Sequence, residues 1–183
     1  MNRSSLSSLL RPVSVALVAV LFLGLAFGAG WQAKKGVTLG GFVIEKEVEL
    51  SVTPEEAFEA FTGDITGWWD HSFSEKPHAM VIEPRVGGRV LELFDEDGNG
   101  LQHARVSWVE HGKKLVMRGP LVFHDKAFEM VHTFTFEADG EGTRLRAVIH
   151  AAGEYEEGWE TAVTGVCLLY TSDAADEGLR GDL

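Results

Sequence analysis

The sequence predicts an α+β domain built on one curved antiparallel sheet, and three observations support that prediction. From Met80 to Ala151, apolar and polar residues alternate with a period of two, which is typical of strands. Gly-rich turns separate these strands without room for a helical crossover, so neighbouring strands run antiparallel. Near the C-terminus, apolar residues at helical spacing predict a helix that lies on the sheet. They are Trp159, Ala162, Val163 and Val166.

The first elements are a strand and two short helices. The string FVIEKEVELSV alternates apolar and charged residues and predicts a half-buried strand. In TPEEAFEAFTG, Thr53 is the expected N-cap, Pro54 the first helical residue and Glu56 the partner in a capping box. The string DITGWWDH, which follows directly, predicts a second short helix that carries two tryptophans.

About six further strands and a terminal helix complete the predicted order, which makes about seven strands in all. A hairpin loop is expected at Asp139–Gly142, and the terminal helix is expected to begin near Glu156. One helix cannot fill a long curved sheet. A cavity between the sheet and this helix is therefore expected.

The N-terminus predicts export. Arg3 and Arg11 precede PVSVALVAVLFLGLAFGAG, an uncharged run between Pro12 and Trp31. A basic start, an apolar stretch and small residues predict a signal peptide within residues 1–33, or a membrane anchor through residues 12–31. The domain would then be periplasmic, secreted, or anchored and facing outside.

The remaining boundaries follow from composition. KKGVTLGG, residues 34–41, is glycine-rich and predicts a linker, and residues 42–166 are the predicted domain. The net charge of −12 disfavours nucleic acid as a partner, because phosphates would be repelled. The single cysteine excludes an internal disulfide and a zinc site built from cysteines.

Several strings in this order resemble the SRPBCC (START-like, helix-grip) superfamily, in the branch similar to the C-terminal domain of Hsp90 ATPase activators. They are VELSVTPEEAFEAFT, ITGWWDH, EPRVGGRVLE, ARVSWVEHGKKLVMRG and HTFTFEADGEGTRLRAVIHAAG. The resemblance implies a seven-stranded sheet that grips a long C-terminal helix, with a pocket between them for a small apolar molecule. It implies no fixed catalytic motif.

The last residues interrupt this resemblance. From Cys167, the string CLLYTSDAADE resembles the translation of a transposon-end adaptor used in shotgun sequencing, and a divergent natural tail is the alternative. Residues 167–183 are therefore predicted to be foreign to the domain. On this interpretation the terminal helix is truncated, and part of the pocket wall is missing.

His132 is the central candidate for ligand binding. Strand alternation places it on one face with four large apolar residues, Phe128, Met130, Phe134 and Phe136. Such a histidine can hydrogen-bond a ligand or act as an acid or base with a pKa shifted by burial. The alternative is a core histidine that a backbone carbonyl or water satisfies.

Trp69, Met117, Phe134 and Trp159 are the predicted apolar contacts, although core packing alone also explains Trp69 and Met117. We expect no catalytic residue, no metal site and no cofactor. Asp70-His71 and His124-Asp125 lack the helical spacing of a zinc motif and are interpreted as surface loops.

The leading hypothesis is non-catalytic binding of a small hydrophobic or amphipathic molecule between the sheet and the terminal helix. One alternative is a cyclase- or hydrolase-like enzyme acting on a polyketide- or lipid-like substrate, with His132 as acid or base. The other is a protein-interaction module similar to Hsp90 co-chaperone domains, which an exported location disfavours.

Overall fold

A curved antiparallel sheet organises the residues that the structure, a computed structural model, describes, namely 36–69 and 72–165. A compact unit begins at Val37. The elements in chain order are β1 (Leu39–Leu50), α1 (Pro54–Phe61), β2 (Gly63–Asp64), β3 (Ala79–Ile82), β4 (Arg89–Leu93), β5 (Gly100–Glu110), β6 (Lys114–Arg118), β7 (Phe128–Asp139) and β8 (Gly142–Glu154). Helical residues 159–165 follow β8.

The strands within these residues pair in the order β1-β8-β7-β6-β5-β4-β3-β2, and every pair is antiparallel. The predicted antiparallel sheet and the hairpin between β7 and β8 are confirmed. The sheet has eight strands rather than about seven, because Gly63 and Asp64 pair with Ile82 and Val81 as a very short edge strand.

Helix α1 begins with the predicted capping box. The Thr53 hydroxyl oxygen accepts from the Glu56 N–H at 3.3 Å, and the Glu56 carboxylate accepts from the Thr53 N–H at 2.9 Å. The two bonds satisfy backbone donors that the first helical turn leaves free. Ala57, Phe58 and Phe61 are buried, so α1 packs its apolar stripe on the sheet.

The predicted second helix is wrong. Its first residue, Asp64, belongs to β2, and the chain then makes a single turn in which the N–H groups of Trp68 and Trp69 donate to the Ile65 carbonyl at 3.2 and 3.0 Å. The Asp64 carboxylate accepts from the Thr66 N–H at 3.0 Å. Such local side-chain bonds compete with helix formation.

Strand β1 begins at Leu39, inside the segment predicted as a linker. Gly41 pairs with Ala152, and a Cβ atom built on Gly41 would clash with the Ala151 carbonyl oxygen. The glycines that suggested flexibility therefore allow a close approach between two backbones.

Helical residues start at 159 rather than near Glu156. Gly158 has a φ of +97°, which a helix does not permit, so the helix begins after it. In the part of the chain that the structure describes, no helix reaches the length and hydrophobicity that a membrane span requires. The run Pro12–Trp31 and the tail from Cys167 lie outside the described residues.

Buried side chains form two clusters on the inner face of the sheet, the face that α1 covers. The larger cluster lies under α1 and includes Phe58, Phe61, Trp68, Trp69, Met117, Phe134 and Ala147. The smaller cluster consists of Ile44, Leu121, Phe128, Met130, Ile149, Ala151 and Val163. Phe42, Phe123 and Trp159 pack against the smaller cluster.

Gly41→Ala tests whether this segment is part of the sheet. The new methyl group would push β1 away from β8, so we expect the free energy of unfolding to fall by about 1–3 kcal/mol in urea titrations. Gly67→Ala is the matched control, because a Cβ atom at Gly67 meets nothing within 4 Å. Equal stability of the two variants would contradict the close approach.

Candidate functional site

His132 lies at the boundary between the two core clusters. On β7, Met130 belongs to the smaller cluster and Phe134 to the larger one. Met117 on β6 and Ile149 on β8 lie directly opposite His132, and directly opposite residues share a face of the sheet. All four neighbours are buried and apolar, so apolar side chains surround the imidazole on the inner face of the sheet.

Both ring nitrogens of His132 are buried and have no hydrogen-bond partner. Burial lowers the pKa of His132 to about 4, and the nearby Gly119 backbone opposes that shift without reaching hydrogen-bond geometry. The imidazole is therefore neutral near pH 7. An unpaired buried polar group lowers the free energy of unfolding by about 1–3 kcal/mol. A hydrogen-bond partner for the ring would therefore be stabilising.

The five predicted ligand contacts all face the inside of the sheet, but they do not line one wall. Trp69, Met117 and Phe134 belong to the larger cluster, whereas Trp159 packs against the smaller one. His132 lies between the two clusters. The predicted apolar face of β7 is buried at each of its four residues, Phe128, Met130, Phe134 and Phe136.

Trp159 joins the helical residues to the sheet. Its ring stacks on Phe123 with centroids 4.2 Å apart and meets Phe128 edge-on at 5.1 Å. Phe123 belongs to the loop between β6 and β7, and Phe128 begins β7. This aromatic group fixes where the terminal helix starts over the sheet.

A cleft of about 620 Å³ lies at another place in the described structure. It is lined by Glu49, Leu50, Ser51, Asp139, Glu141, Gly142 and Thr143, at the end of β1 and the β7–β8 loop. None of the predicted ligand contacts borders it. Its lining is polar and acidic, unlike the inner face around His132.

The structure also contains a buried Glu92–His103 pair that the sequence did not reveal. Glu92 on β4 and His103 on β5 are 0 % and 1 % exposed, with Oε2 and Nε2 3.0 Å apart. The pairing of β4 with β5 shifts register between Val90 and Leu91, and this irregularity turns both His103 and Ala104 inward. Strict alternation would have placed one of them outside.

The Glu92 carboxylate holds the loop after Trp69. It accepts hydrogen bonds from the Phe73 N–H at 2.8 Å, the Ser74 N–H at 3.0 Å and the Ser74 hydroxyl at 3.2 Å. With His103 these contacts satisfy a buried carboxylate, which would otherwise be costly. The site is therefore an anchor for residues 73–74.

His103 connects this anchor to the loop between β6 and β7. Its Nδ1 lies 3.3 Å from the Leu121 carbonyl oxygen, and the Leu121 N–H donates to the His103 carbonyl at 3.2 Å. Leu121 has a φ of +49°, which is a strained conformation for leucine. Burial lowers the pKa of His103, and the hydrogen bond to Glu92 opposes that shift.

His124 lies beside this site, with its ring centroid 5.6 Å from that of His103 and 5.6 Å from that of Phe73. Partial burial lowers the pKa of His124. His124 and Asp125 are both exposed, as the surface-loop interpretation predicts, and the His124 ring contacts those of His103 and Phe73. Asp70 and His71 lie outside the described residues. Among residues 36–69 and 72–165, no three His, Cys, Asp or Glu side chains are placed to hold a metal ion.

The family model described as "Activator of Hsp90 ATPase homolog 1-like protein" matches residues 51–167, more than half of the chain. The chain belongs to this family. It is therefore a member of the SRPBCC superfamily, as the sequence resemblance predicted. No curated protein matches it in sequence.

Solved structures share the fold of this family member. An uncharacterized protein from Rhizobium leguminosarum aligns with a TM-score of 0.62 and 14% identity, over 81% of this chain and 100% of its own. A Mesorhizobium loti protein aligns at 0.53 and 24%, over 78% and 100%. A protein of unknown function from Staphylococcus aureus aligns at 0.57 and 14%, over 74% and 92%. At these identities the likeness establishes the fold alone.

Glu92→Ala tests the anchor. It would leave the buried His103 ring and two part-buried backbone N–H groups without their acceptor, so we expect the free energy of unfolding to fall by about 3–5 kcal/mol. Amide exchange at Phe73 and Ser74 should accelerate. Glu110→Ala removes an exposed carboxylate paired with Lys113 and should change stability by less than about 1 kcal/mol. Similar losses in the two variants would argue against an anchor.

The pH dependence of stability tests the environment of His132. Because its pKa falls from 6.5 to about 4 on folding, the unfolded state binds more protons between these values, and stability falls as pH falls. Between about pH 7.5 and about pH 5, His132 should cost about 2 kcal/mol. In urea titrations, the free energy of unfolding should fall by this much more for wild type than for His132→Leu between the two pH values. Parallel slopes would mean that the imidazole is solvated.

Proposed function

We propose that this chain binds a small hydrophobic or amphipathic molecule on the inner face of the sheet without converting it. The unpaired imidazole of His132 is the observation that supports this function best. It places one polar group at the centre of an apolar face, which is the composition typical of ligand sites. A ligand hydroxyl or carbonyl would satisfy the ring at the point where the protein offers no partner.

The surroundings of His132 favour an apolar ligand body. Met117, Met130 and Phe134 are each fully buried next to it. Methionine side chains adapt to irregular shapes at little cost, so the two that flank the imidazole can repack around a guest. The core divides into two clusters at this position, and the proposed ligand would lie between them.

The enzyme alternative receives less support from the same residue. A histidine with a pKa of about 4 is a weak base, and at neutral pH its uncharged ring is too weak an acid to protonate a substrate. The buried Glu92–His103 pair is not available either, because its hydrogen bonds are already used within the fold. Binding without turnover therefore fits the described geometry better.

A fluorescent probe tests the proposal. Anilinonaphthalene sulfonate, which brightens in apolar sites, should bind wild type saturably. Competing lipids extracted from cells should displace it. His132→Leu should weaken the best competitor about tenfold, because one buried hydrogen bond is lost. Met117→Trp should abolish its binding, because the larger side chain fills the space opposite His132.

His150→Leu is the matched control, since His150 is exposed and lies on the opposite face of β8 from Ile149. It makes the same chemical change away from the proposed site and should leave displacement unchanged. Circular dichroism under the conditions of the binding measurement establishes that every variant is folded. Absence of saturable binding in wild type, or equal effects of His132→Leu and His150→Leu, would refute the proposed function.

A further inference from the structure

A second polar side chain, Lys46, lies on the inner face of the sheet. It occupies β1 between Ile44 and Val48, which share the inner face with it. Lys46 pairs with Ala147 of β8, which is buried in the larger cluster. Its neighbours Glu45 and Glu47 lie on the outer face, where both meet Arg146. Lys46 itself is half-buried.

Within the described residues, three arginines on the outer face pair with carboxylates, whereas Lys46 on the inner face does not. On the outer face, Arg146 is 2.9 Å from Glu45, Arg144 pairs with Asp139, and Arg89 is 2.9 Å from Glu83. In residues 36–69 and 72–165 no carboxylate forms a salt bridge with Lys46. A half-buried lysine on an apolar face, with no carboxylate partner among these residues, is suited to an anion from outside the chain.

The sheet register places Lys46 and His132 on the same stretch of the inner face. His132 is opposite Ile149 of β8, and Lys46 is opposite Ala147, the next inward residue of β8. Two strand spacings and an offset of two residues separate their Cα atoms by about 12 Å. Ala147 adds only a methyl group to the face between them. The two side chains therefore mark both ends of a short apolar track.

We infer that the ligand is an amphipathic monoanion, such as a carboxylic acid with an aliphatic body, whose charged head binds Lys46 and whose body lies along the track toward His132. The inference rests on the proposed function. A hydroxyl or carbonyl farther along the ligand would hydrogen-bond His132. Because burial keeps His132 neutral, the imidazole suits an uncharged polar group, and the anion belongs at Lys46.

Isothermal titration of the full chain with decanoate, decanol and ω-hydroxydecanoate tests this inference. Wild type should bind decanoate at least about fivefold more tightly than decanol, because only the acid pairs with Lys46. Lys46→Met should remove that preference, and Lys46→Arg should keep it. Lys114→Met, which removes the same charge next to Trp108 on the outer face, should behave as wild type.

The hydroxyl probe tests the other end of the track. Wild type should prefer ω-hydroxydecanoate to decanoate, and His132→Leu should reverse that preference while Lys46→Met leaves it in place. Circular dichroism of each variant ensures that folded protein is compared. Retention of the charge preference by Lys46→Arg separates pairing from a packing role of the lysine stem.

The outcomes separate the inference from the proposed function. If decanol binds as tightly as decanoate, or if Lys46→Met matches Lys114→Met, the anionic head is refuted while ligand binding stands. Lys46 would then be an inward-pointing charge that protects the edge strand β1 from pairing with other chains. If wild type binds none of the three probes, the proposed function and the inference fail together.

Discussion

The pairing of β7 with β8 is the constraint on which the inner face depends. The two strands stay in register from Asp139–Gly142 at the hairpin to Phe128–Gly153 at the far end, without a bulge. Every second residue of β7 therefore faces inward along its whole length, and His132 is the one polar residue among them. A slip by one residue would move the imidazole and its aromatic neighbours to the outer face, so the buried area resists it.

Polar side chains on this inner face differ in whether they have hydrogen-bond or charge partners. Glu92 and His103 satisfy each other and hold the Phe73–Ser74 backbone, so their hydrogen-bonding capacity is used within the fold. His132 and Lys46 have no such partners among the described residues. The difference separates a pair that stabilises the fold from the two side chains that the proposed ligand would contact. It is also why the proposed binding function rests on the unpaired side chains rather than on the Glu92–His103 pair.

Local chemistry explains which elements could be predicted from the sequence. The capping box at Thr53 and Glu56 and the alternation along β7 depend on residues close together in the chain, and both predictions were confirmed. The prediction of a second helix was wrong because Gly63 and Asp64 pair with β3. Local propensity does not report such a contact between distant segments. Strand β1 began early because Gly41 fits against Ala151, which is far away in sequence.

The sequence by itself determined the antiparallel sheet and the inward direction of His132, because alternation and capping act over a few residues. The family followed from the resemblance of several sequence strings, in their order, to known members. Only the tertiary structure decided which polar groups have partners. The irregularity between β4 and β5 brings His103 to Glu92, and the β1–β8 register brings Lys46 to the same face as His132. Hydrogen bonds and ion pairs depend on distances through space. Those distances exist only after strands far apart in the chain have paired.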